Sequence, residues 1–519
     1  MKTLGYAKSR ARLRSDPVDK RKDPKCEGVP SSGEPHANSS GGGFFCMGGG
    51  INRQSPGAVG GWLLTYRLCR LIWTVPLALV GCALIPDHIR PELPVPQKYP
   101  GRKDRAEAEA AEMGWRDFVR DRHLRCLIAL ALEGNRDLQA AALKVEQSRA
   151  QLRIARASWR PRVLVGGSMD RSHALGETVE HWKAEVATTA YEWDLFGRVR
   201  SMNAQAVAQI FASVEARRSV QIALVADVAL QYFAWLQARA QVGVARQTLQ
   251  SARGLYELTR MTFDAGATNE LDVRTAEGQV QTVHASLLDY ELRERETLNA
   301  LTLLLGKPPP EALPATPSLD APGLLAPVPP GLPSELVLRR ADILQAEHLL
   351  RAARANVGAA RAAFFPSVRL TGAFGTVSPE LANLFGAGNT VWRFAPEVTL
   401  PIFTGGQNLA TLRAAQTGVR LEVARYEKTV QTAFREVADA LAGMDAARRQ
   451  IEIQRDAVAI QQRRLELASA RYRAGEDAYI TVLLAQQALY AARQARWYAE
   501  YRWLANQVLL YRALGGGWK

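Results

Sequence analysis

The sequence predicts a mainly α-helical chain with a small β-barrel part, built from one unit that occurs twice. Three observations predict it. Two stretches far apart in the chain align with each other, each is followed by a helical pattern longer than a globular core requires, and each unit also holds two short segments that alternate apolar and polar residues.

The repeat comes first, because it orders everything else. "DLQAAALKVEQSRAQLRIARASWRPRV" (137–163) lies over "DILQAEHLLRAARANVGAARAAFFPSV" (342–368), with Asp137 on Asp342, Arg149 on Arg354 and Pro161 on Pro366, an offset of 205 (342 − 137). Further on, "TFDAGATNEL" (262–271) lies over "RYRAGEDAYI" (471–480) and Leu305-Gly306 over Leu514-Gly515, an offset of 209 (471 − 262). The first unit is placed at 117–306 and the second at 334–515, with a Pro-rich link at 307–333 and a tail at 516–519.

Each unit repeats one order of elements. A helix of about forty residues ends at Pro161 or Pro366, since proline cannot continue a helix. Two strands follow, at about 161–172 and 182–194 in the first unit and about 366–376 and 390–402 in the second. A glycine turn ("DLFGR", "IFTGGQ") then starts a very long helix, which reaches a tip at Ala265-Gly266 or Ala474-Gly475 before a helix returns.

The long helices carry a seven-residue apolar series. It runs Val214, Val228, Trp235, Val242, Leu249, Tyr256, Phe263 in the first unit, interrupted by Gln221, and Val423 to Tyr472 in the second. A strict seven-residue period is the mark of a supercoiled seam, and Ala238, Ala245 and Ala252 leave room for a close neighbour. From Gly197 to Asp264 is 68 residues, about 100 Å of helix.

The strands argue against a simple rod. Trp392, Phe394, Pro396, Val398, Leu400 and Ile402 alternate with Arg393, Ala395, Glu397, Thr399 and Pro401. Val368, Leu370, Gly372 and Phe374 alternate with more polar neighbours, and the first pair is noisier, with Trp182, Ala184 and Val186 against Lys183 and Glu185. One apolar and one polar face suits a membrane barrel with a wet lumen, although half-buried soluble strands look alike. Four strands are too few to close a barrel, and an open edge in lipid leaves backbone groups unpaired. If these strands span a membrane, several chains must share one barrel.

The N-terminal part is of a different kind. Residues 1–60 are rich in Gly, Ser, Pro and Arg and cannot bury enough surface to fold. They are either a disordered basic tail or the product of a translation start placed too far upstream, with the true start near Met47 or between Val59 and Leu64. The second reading turns residues 60–81 into a signal of normal length: Arg67 and Arg70 as basic flank, Leu71–Val80 as apolar core, then Gly81-Cys82. That core is too short to span a bilayer as a helix. Segment 1–81 is therefore expected to be absent from the mature chain, and 82–116 to be an anchor and linker.

Charge and chemistry exclude more than they assign. The formal net charge is +15, of which residues 1–81 hold +7 (12 Lys and Arg less 5 Asp and Glu). The rest is arginine spread over helical patterns, which reads as solvated helix faces and not as a nucleic-acid surface. Cys26, Cys46, Cys69, Cys82 and Cys126 form no CxxC pair or metal spacing, and Cys126 is expected to be a small buried residue. The histidines lack HExxH spacing, the glycine runs lack GxGxxG and GK[ST], and no GxSxG elbow occurs. No catalytic or metal-binding residues are expected.

From Cys82 onward the chain resembles the bacterial outer-membrane efflux lipoproteins of the TolC/OprM type, in their NodT-like branch, over nearly all of 82–515. The resemblance is carried by "LVGCALIPDHIRPELPVP" (79–96), "FDAGATNELDVRTAE" (263–277), "LPSELVLRRADILQAEHLLRAARANVGAARAAFFPSVRLTGAFG" (332–375) and "RYRAGEDAYITVLLAQQALYAARQA" (471–495). It implies a homotrimer with one twelve-stranded outer-membrane barrel, continued by a periplasmic tunnel of long coiled-coil helices. Cys82 would carry a covalent lipid such as palmitate, the only prosthetic group implied, and Ala83 after it suits sorting to the outer membrane and its lipids. The implied partners are a periplasmic adaptor (membrane fusion) protein and an inner-membrane pump of the proton-driven RND type. The implied function is export of small toxic compounds or drugs. A type I protein-secretion conduit of the same fold and a structural coiled-coil protein are the alternatives.

The resemblance also implies site residues. The adaptor contact falls at Ala265, Gly266, Ala474 and Gly475. Asp272 matches an aspartate of the family's constriction and Tyr472 a tyrosine, while Asp477 stands where the family has arginine and Thr481 and Leu484 where it has aspartates. A Tyr–Arg–Asp latch therefore does not carry over whole. Asp272 and Asp477 remain the acidic candidates, and both also suit an ordinary helix start, where a carboxylate complements the dipole.

Overall fold

The computed structural model describes residues 84–96, 113–174, 176–310, 316–328 and 338–517, all inside one compact unit, Leu63–Lys519. Cys82 and the signal-like segment lie outside the described residues. In chain order the elements are α1 (Trp115–Phe118), α2 (Arg122–Gly134), α3 (Arg136–Ala157), β1 (Val163–Ala174), β2 (Glu177–Trp193), α4 (Arg198–Asp264) and α5 (Glu270–Leu305), then α6 (Ala341–Ala362), β3 (Ser367–Ser378), β4 (Thr390–Thr399), α7 (Gln407–Arg473) and α8 (Tyr479–Ala513).

The long helices α4 and α7 have 67 residues each, about 100 Å at the α-helical rise. Their seven-residue series explains the length. Val228, Val242 and Leu249 are buried in α4, as are Val430, Val437 and Ile451 in α7, so each seam meets a neighbour over many turns. Ala238, Ala245 and Ala252 are buried too. With a methyl group in place of a larger side chain, α5 comes in close enough for Val283 and Leu287 to pack on Val242 and Leu249.

The expected forty-residue helix before each proline is not one helix. In the first unit it breaks at Asn135, whose backbone N–H still closes α2 on Ala131 O (2.9 Å) while its side chain accepts from Leu138 N (2.9 Å) to start α3. The break has a tertiary cause. Asn135 Nδ2 donates to Leu304 O (3.0 Å), and a Cβ built on Gly134 would lie 2.4 Å from Leu305 O. No other residue allows the end of α5 so near. In the second unit the described helix is only the 22 residues of α6.

The four strands form one antiparallel sheet in the order β1-β2-β3-β4. Its register gathers the alternating residues on one face. Met169 faces Trp182, Val165 faces Val186, Val186 faces Phe374, Phe374 faces Trp392, and Val368 faces Val398. Arg369 and Glu397 pair on the other face, where Lys183 and Glu185 also lie. The noise in the first pair is a β-bulge. Register shifts between Thr188 and Tyr191, and Ala190 takes a φ of 50°, with its N–H donated to Thr371 Oγ1 (3.2 Å). The extra residue returns Tyr191 and Trp193 to the apolar face that Trp182, Ala184, Val186 and Thr188 began. Strand β2 is longer than expected, and β4 stops at Thr399, short of Pro401.

The main core lies around the middle of the long helices. Leu224–Leu236 of α4, Tyr426–Ala440 of α7, Leu504–Leu514 of α8 and Leu301 with Leu305 of α5 meet there around Leu124, Leu127 and Ile128. The Pro-rich link belongs to it. Leu319, Leu324, Leu325 and Val328 are buried, and Leu324 O accepts from Arg120 N (2.9 Å). Cys126 is half-buried, not buried, because it sits beside the inward row of Leu124, Leu127 and Ile128 instead of in it.

Candidate functional site

The turns at the far ends of the long helices are where sequence reasoning concentrated its candidates. Both end in a Schellman motif. Gly266 N donates to Phe263 O (2.8 Å) and Ala267 N to Thr262 O (2.8 Å), and Gly475 N to Tyr472 O (3.0 Å) and Glu476 N to Arg471 O (3.0 Å). The glycines have φ of 73° and 75° with open space where a Cβ would sit, so backbone conformation alone selects them. Ala265, Gly266, Ala474 and Gly475 are all exposed, as a contact surface requires.

The two aspartates have different surroundings. Asp272 accepts from Thr268 Oγ1 (2.7 Å) in the first turn of α5, where Asn269 caps Asp272 N (2.9 Å). Asp477 receives Arg471 Nε (2.7 Å) and Nη2 (3.1 Å), and these hydrogen bonds hold its carboxyl below the ordinary carboxylate range. One tip thus carries an acid held by a neutral hydroxyl, the other a closed ion pair.

Tyr472 lies between the two hairpins. Its ring meets Tyr479 edge-on at 6.0 Å, and its hydroxyl is 3.4 Å from Thr259 Oγ1 on α4. Tyr479 is buried with Ala276 of α5 and Leu483. Burial first, then the charges of Tyr472 and Asp272, pushes the Tyr479 hydroxyl up to about 12. Asp272, Tyr472 and Tyr479 therefore share one neighbourhood. Thr481 instead lines an open groove of about 630 Å³ with Ile460, Leu467, Arg463, Arg464 and Arg471, and Leu484 points outward, half exposed. Thr259, Ala276, Arg471 and Tyr479 were missed by the sequence reading. Tyr479 follows Tyr472 by seven residues, yet the turn at Gly475 intervenes and restarts the helical register, so period could not flag it.

A second constellation sits near the sheet. Residues 84–90 run along α6 as a strap. Arg361 Nη1 donates to Leu84 O (3.3 Å), Arg354 to Asp87 O (2.9 Å) and Ile89 O (2.7 Å), and the buried Glu347 receives Arg90 (2.6 Å), Arg351 (2.5 Å) and His88 Nε2 (3.2 Å). Burial alone would raise the Glu347 carboxyl, but hydrogen bonds from Arg90 and His88 and the nearby arginine charges bring it below its ordinary value. Among the described residues no cluster of His, Cys, Asp and Glu could hold a metal ion.

The family model "Outer membrane efflux protein" matches residues 127–307 and 332–516. The toluene efflux pump outer membrane protein TtgC of Pseudomonas putida is 43% identical over 453 residues, covering 85% of this chain and 93% of that protein. The antibiotic efflux pump outer membrane protein ArpC of Pseudomonas putida matches equally, at 43% over 453 residues with the same coverage. Among solved structures, the open state of the Neisseria gonorrhoeae MtrE outer membrane channel superposes with a TM-score of 0.78 at 35% identity, over 84% of this chain and 99% of that one.

Proposed function

The chain belongs to the outer membrane efflux protein family, and from that premise we propose that it is the trimeric outer-membrane conduit of a tripartite efflux system. Efflux and outer-membrane transport come with the family. The trimer, the shared barrel and the partners are our reading.

One observation carries it: a four-stranded sheet with an apolar face and two free edges, β1 and β4, at one end of helices about 100 Å long. In lipid those edges must be paired, and three copies give twelve strands, enough to close. The helices are long enough to reach through a periplasm towards an adaptor and an RND-type pump. Because relatives are named for toluene and antibiotic efflux, the cargo is taken to be small, apolar or amphiphilic toxic compounds. The constriction is assigned to Asp272 and Tyr472, with Asp477, Thr481 and Leu484 around it. The adaptor contact is assigned to Ala265, Gly266, Ala474 and Gly475. A lipid on Cys82 fits the strap, because Leu84 is held beside Arg361, six residues before β3 begins at Ser367 (367 − 361).

The test is expression in a host lacking its own such channel but supplied with the cognate adaptor and pump. Tolerance to toluene and to amphiphilic antibiotics should return, and light scattering in detergent should give three times the mature chain mass. A conducting channel that restores no tolerance but passes a secreted protein would replace efflux with secretion.

A further inference from the structure

We propose that the chain carries a phospholipid headgroup site at the root of its sheet, a crevice between the end of α3 and the start of α4 that takes a phosphate and an ammonium together. Its occupant is a phospholipid of the phosphatidylethanolamine type, drawn from the membrane leaflet nearest the helices. The site depends on the outer-membrane placement of the sheet argued above.

The crevice holds about 390 Å³ and is lined by Arg156, Trp159 and Arg160 on one side and Asn203, Ala204 and Val207 on the other. It lies where the helices meet the sheet. α3 ends at Ala157, and β1 begins at Val163, three residues after Arg160 (163 − 160). Trp159 O accepts from the Tyr191 hydroxyl (3.1 Å), and Tyr191 stands on the apolar face of β2. A second hollow, of about 330 Å³, continues from Trp159 past Tyr191 and Trp193. A path therefore runs from the crevice to the apolar face of the sheet, with Trp159 and Trp193 along it, each about half exposed. Tryptophan and tyrosine at the edge of an apolar surface mark the level of lipid headgroups. Ala204 and Val207 also line the hollow bounded by Ile85, Pro86 and His88, so the crevice opens on the side of the helices along which the strap runs.

The crevice asks for two charges of opposite sign. Arg156 and Arg160 are exposed, and among the described residues neither side chain makes an ion pair or a hydrogen bond. Other arginines at the sheet's root are taken, Arg198 by Glu192 and Arg200 by Asp194. Two unpaired guanidinium groups lining one crevice suit a phosphate, whose oxygens accept paired N–H bonds. Asn203 has the opposite need. It is 9% exposed, its Nδ2 donates to Val199 O (2.9 Å), and its Oδ1 has no partner. An acceptor without a partner in such a wall calls for a donor. Ala155 O, in the last turn of α3, lies 3.5 Å from Nδ2, so the negative end of that helix is close by. An ammonium answers both. Asn203 Oδ1 is itself covered, and the exposed side chains of Arg156, Trp159 and Arg160 are free to part and admit it.

Phosphatidylethanolamine joins a phosphate and an ammonium in one headgroup. A choline headgroup has the same charges but no N–H to donate. A glycerol headgroup has hydroxyls to donate but no positive charge to set against the carbonyl end of α3.

Native mass spectrometry of the full-length protein, extracted from outer membranes and stripped of lipid in detergent, tests the site. The probes are phosphatidylethanolamine, phosphatidylcholine and phosphatidylglycerol with identical acyl chains. Phosphatidylethanolamine should bind about fivefold more tightly than phosphatidylcholine, and more tightly than phosphatidylglycerol. Arg156→Gln with Arg160→Gln should weaken it about tenfold, and since both residues are exposed the variant keeps the fold. Asn203→Ala should bring phosphatidylethanolamine down to the level of phosphatidylcholine while leaving phosphatidylcholine unchanged. Binding that the arginine variant leaves unaltered overturns the crevice. Equal binding of all three lipids overturns the headgroup assignment, and tighter binding of phosphatidylglycerol overturns the ammonium in favour of a plain anion site. A protein missing from the outer-membrane fraction overturns the placement of the sheet itself.

Discussion

Asp272 beside a threonine and Asp477 beside an arginine exert different fields, and each tip holds one of them. The Arg471–Asp477 pair is nearly neutral at a distance, whereas Asp272 is held by the neutral Thr268 hydroxyl and keeps its field. Asp272→Ala should therefore lower the cation-to-anion permeability ratio by about twofold or more in single-channel recording, ~0.4 kcal/mol. Asp477→Ala should act in the same direction by unmasking Arg471, but Arg471→Ala with Asp477→Ala should leave selectivity close to wild type. A large change in that double variant would mean the pair is not closed. The strap offers a pH prediction. His88 lies below its ordinary value of 6.5, chiefly through burial, against the raising effect of its Glu347 hydrogen bond and with Arg351 and Arg354 lowering it further. A depressed folded value means stability is present above about 6.5 and is lost as pH falls through it, and the depressed Glu347 carboxyl adds a second loss at lower pH. Amide exchange at residues 84–90, corrected for its intrinsic pH dependence, should lose protection as pH falls below about 6.5, and His88→Gln should flatten that loss.

Elements were legible to different depths. The seven-residue series and the tip glycines announced α4, α7 and both turns, because supercoil period and left-handed caps are local requirements. Gly266→Ala or Gly475→Ala meets open space, so the cost is backbone strain alone. About 1 kcal/mol should be lost from the tip turn, visible as faster local amide exchange with the global melting temperature nearly unchanged. Ala245, fully buried, is a different case. Ala245→Leu should destabilise by roughly 1–3 kcal/mol in thermal unfolding, because α5 must move away to admit the larger side chain. The break at Asn135 and the bulge at Ala190 were not legible. Each depends on a partner more than a hundred residues away, Leu304 O for the first and Thr371 Oγ1 for the second.

For the whole molecule, Cys82 stands two residues before the strap in sequence. Mass spectrometry of purified protein should recover an acylated N-terminal peptide starting at Cys82 and no peptide from residues 1–81. An unmodified peptide running across Cys82 would remove the anchor. On the trimeric barrel proposed above, Cys82→Ser should weaken membrane retention in high-salt washes without abolishing trimers, because the apolar face of the sheet would supply its own hold.

By itself the sequence determined the period of α4 and α7, the alternation of β3 and β4, the tip glycines and the family, all properties carried by neighbouring residues or by the spacing of like with like. The tertiary structure decided what those patterns touch. It placed the proline-rich link in the core, closed Asp477 onto Arg471 while leaving Asp272 to a threonine, and brought Thr259 and Tyr479 to Tyr472. It also showed that Ile453, Ile460 and Leu467 stand exposed on their own chain. Contact between distant segments is a property of the folded backbone, and a heptad pattern states that a helix has a partner without saying which one.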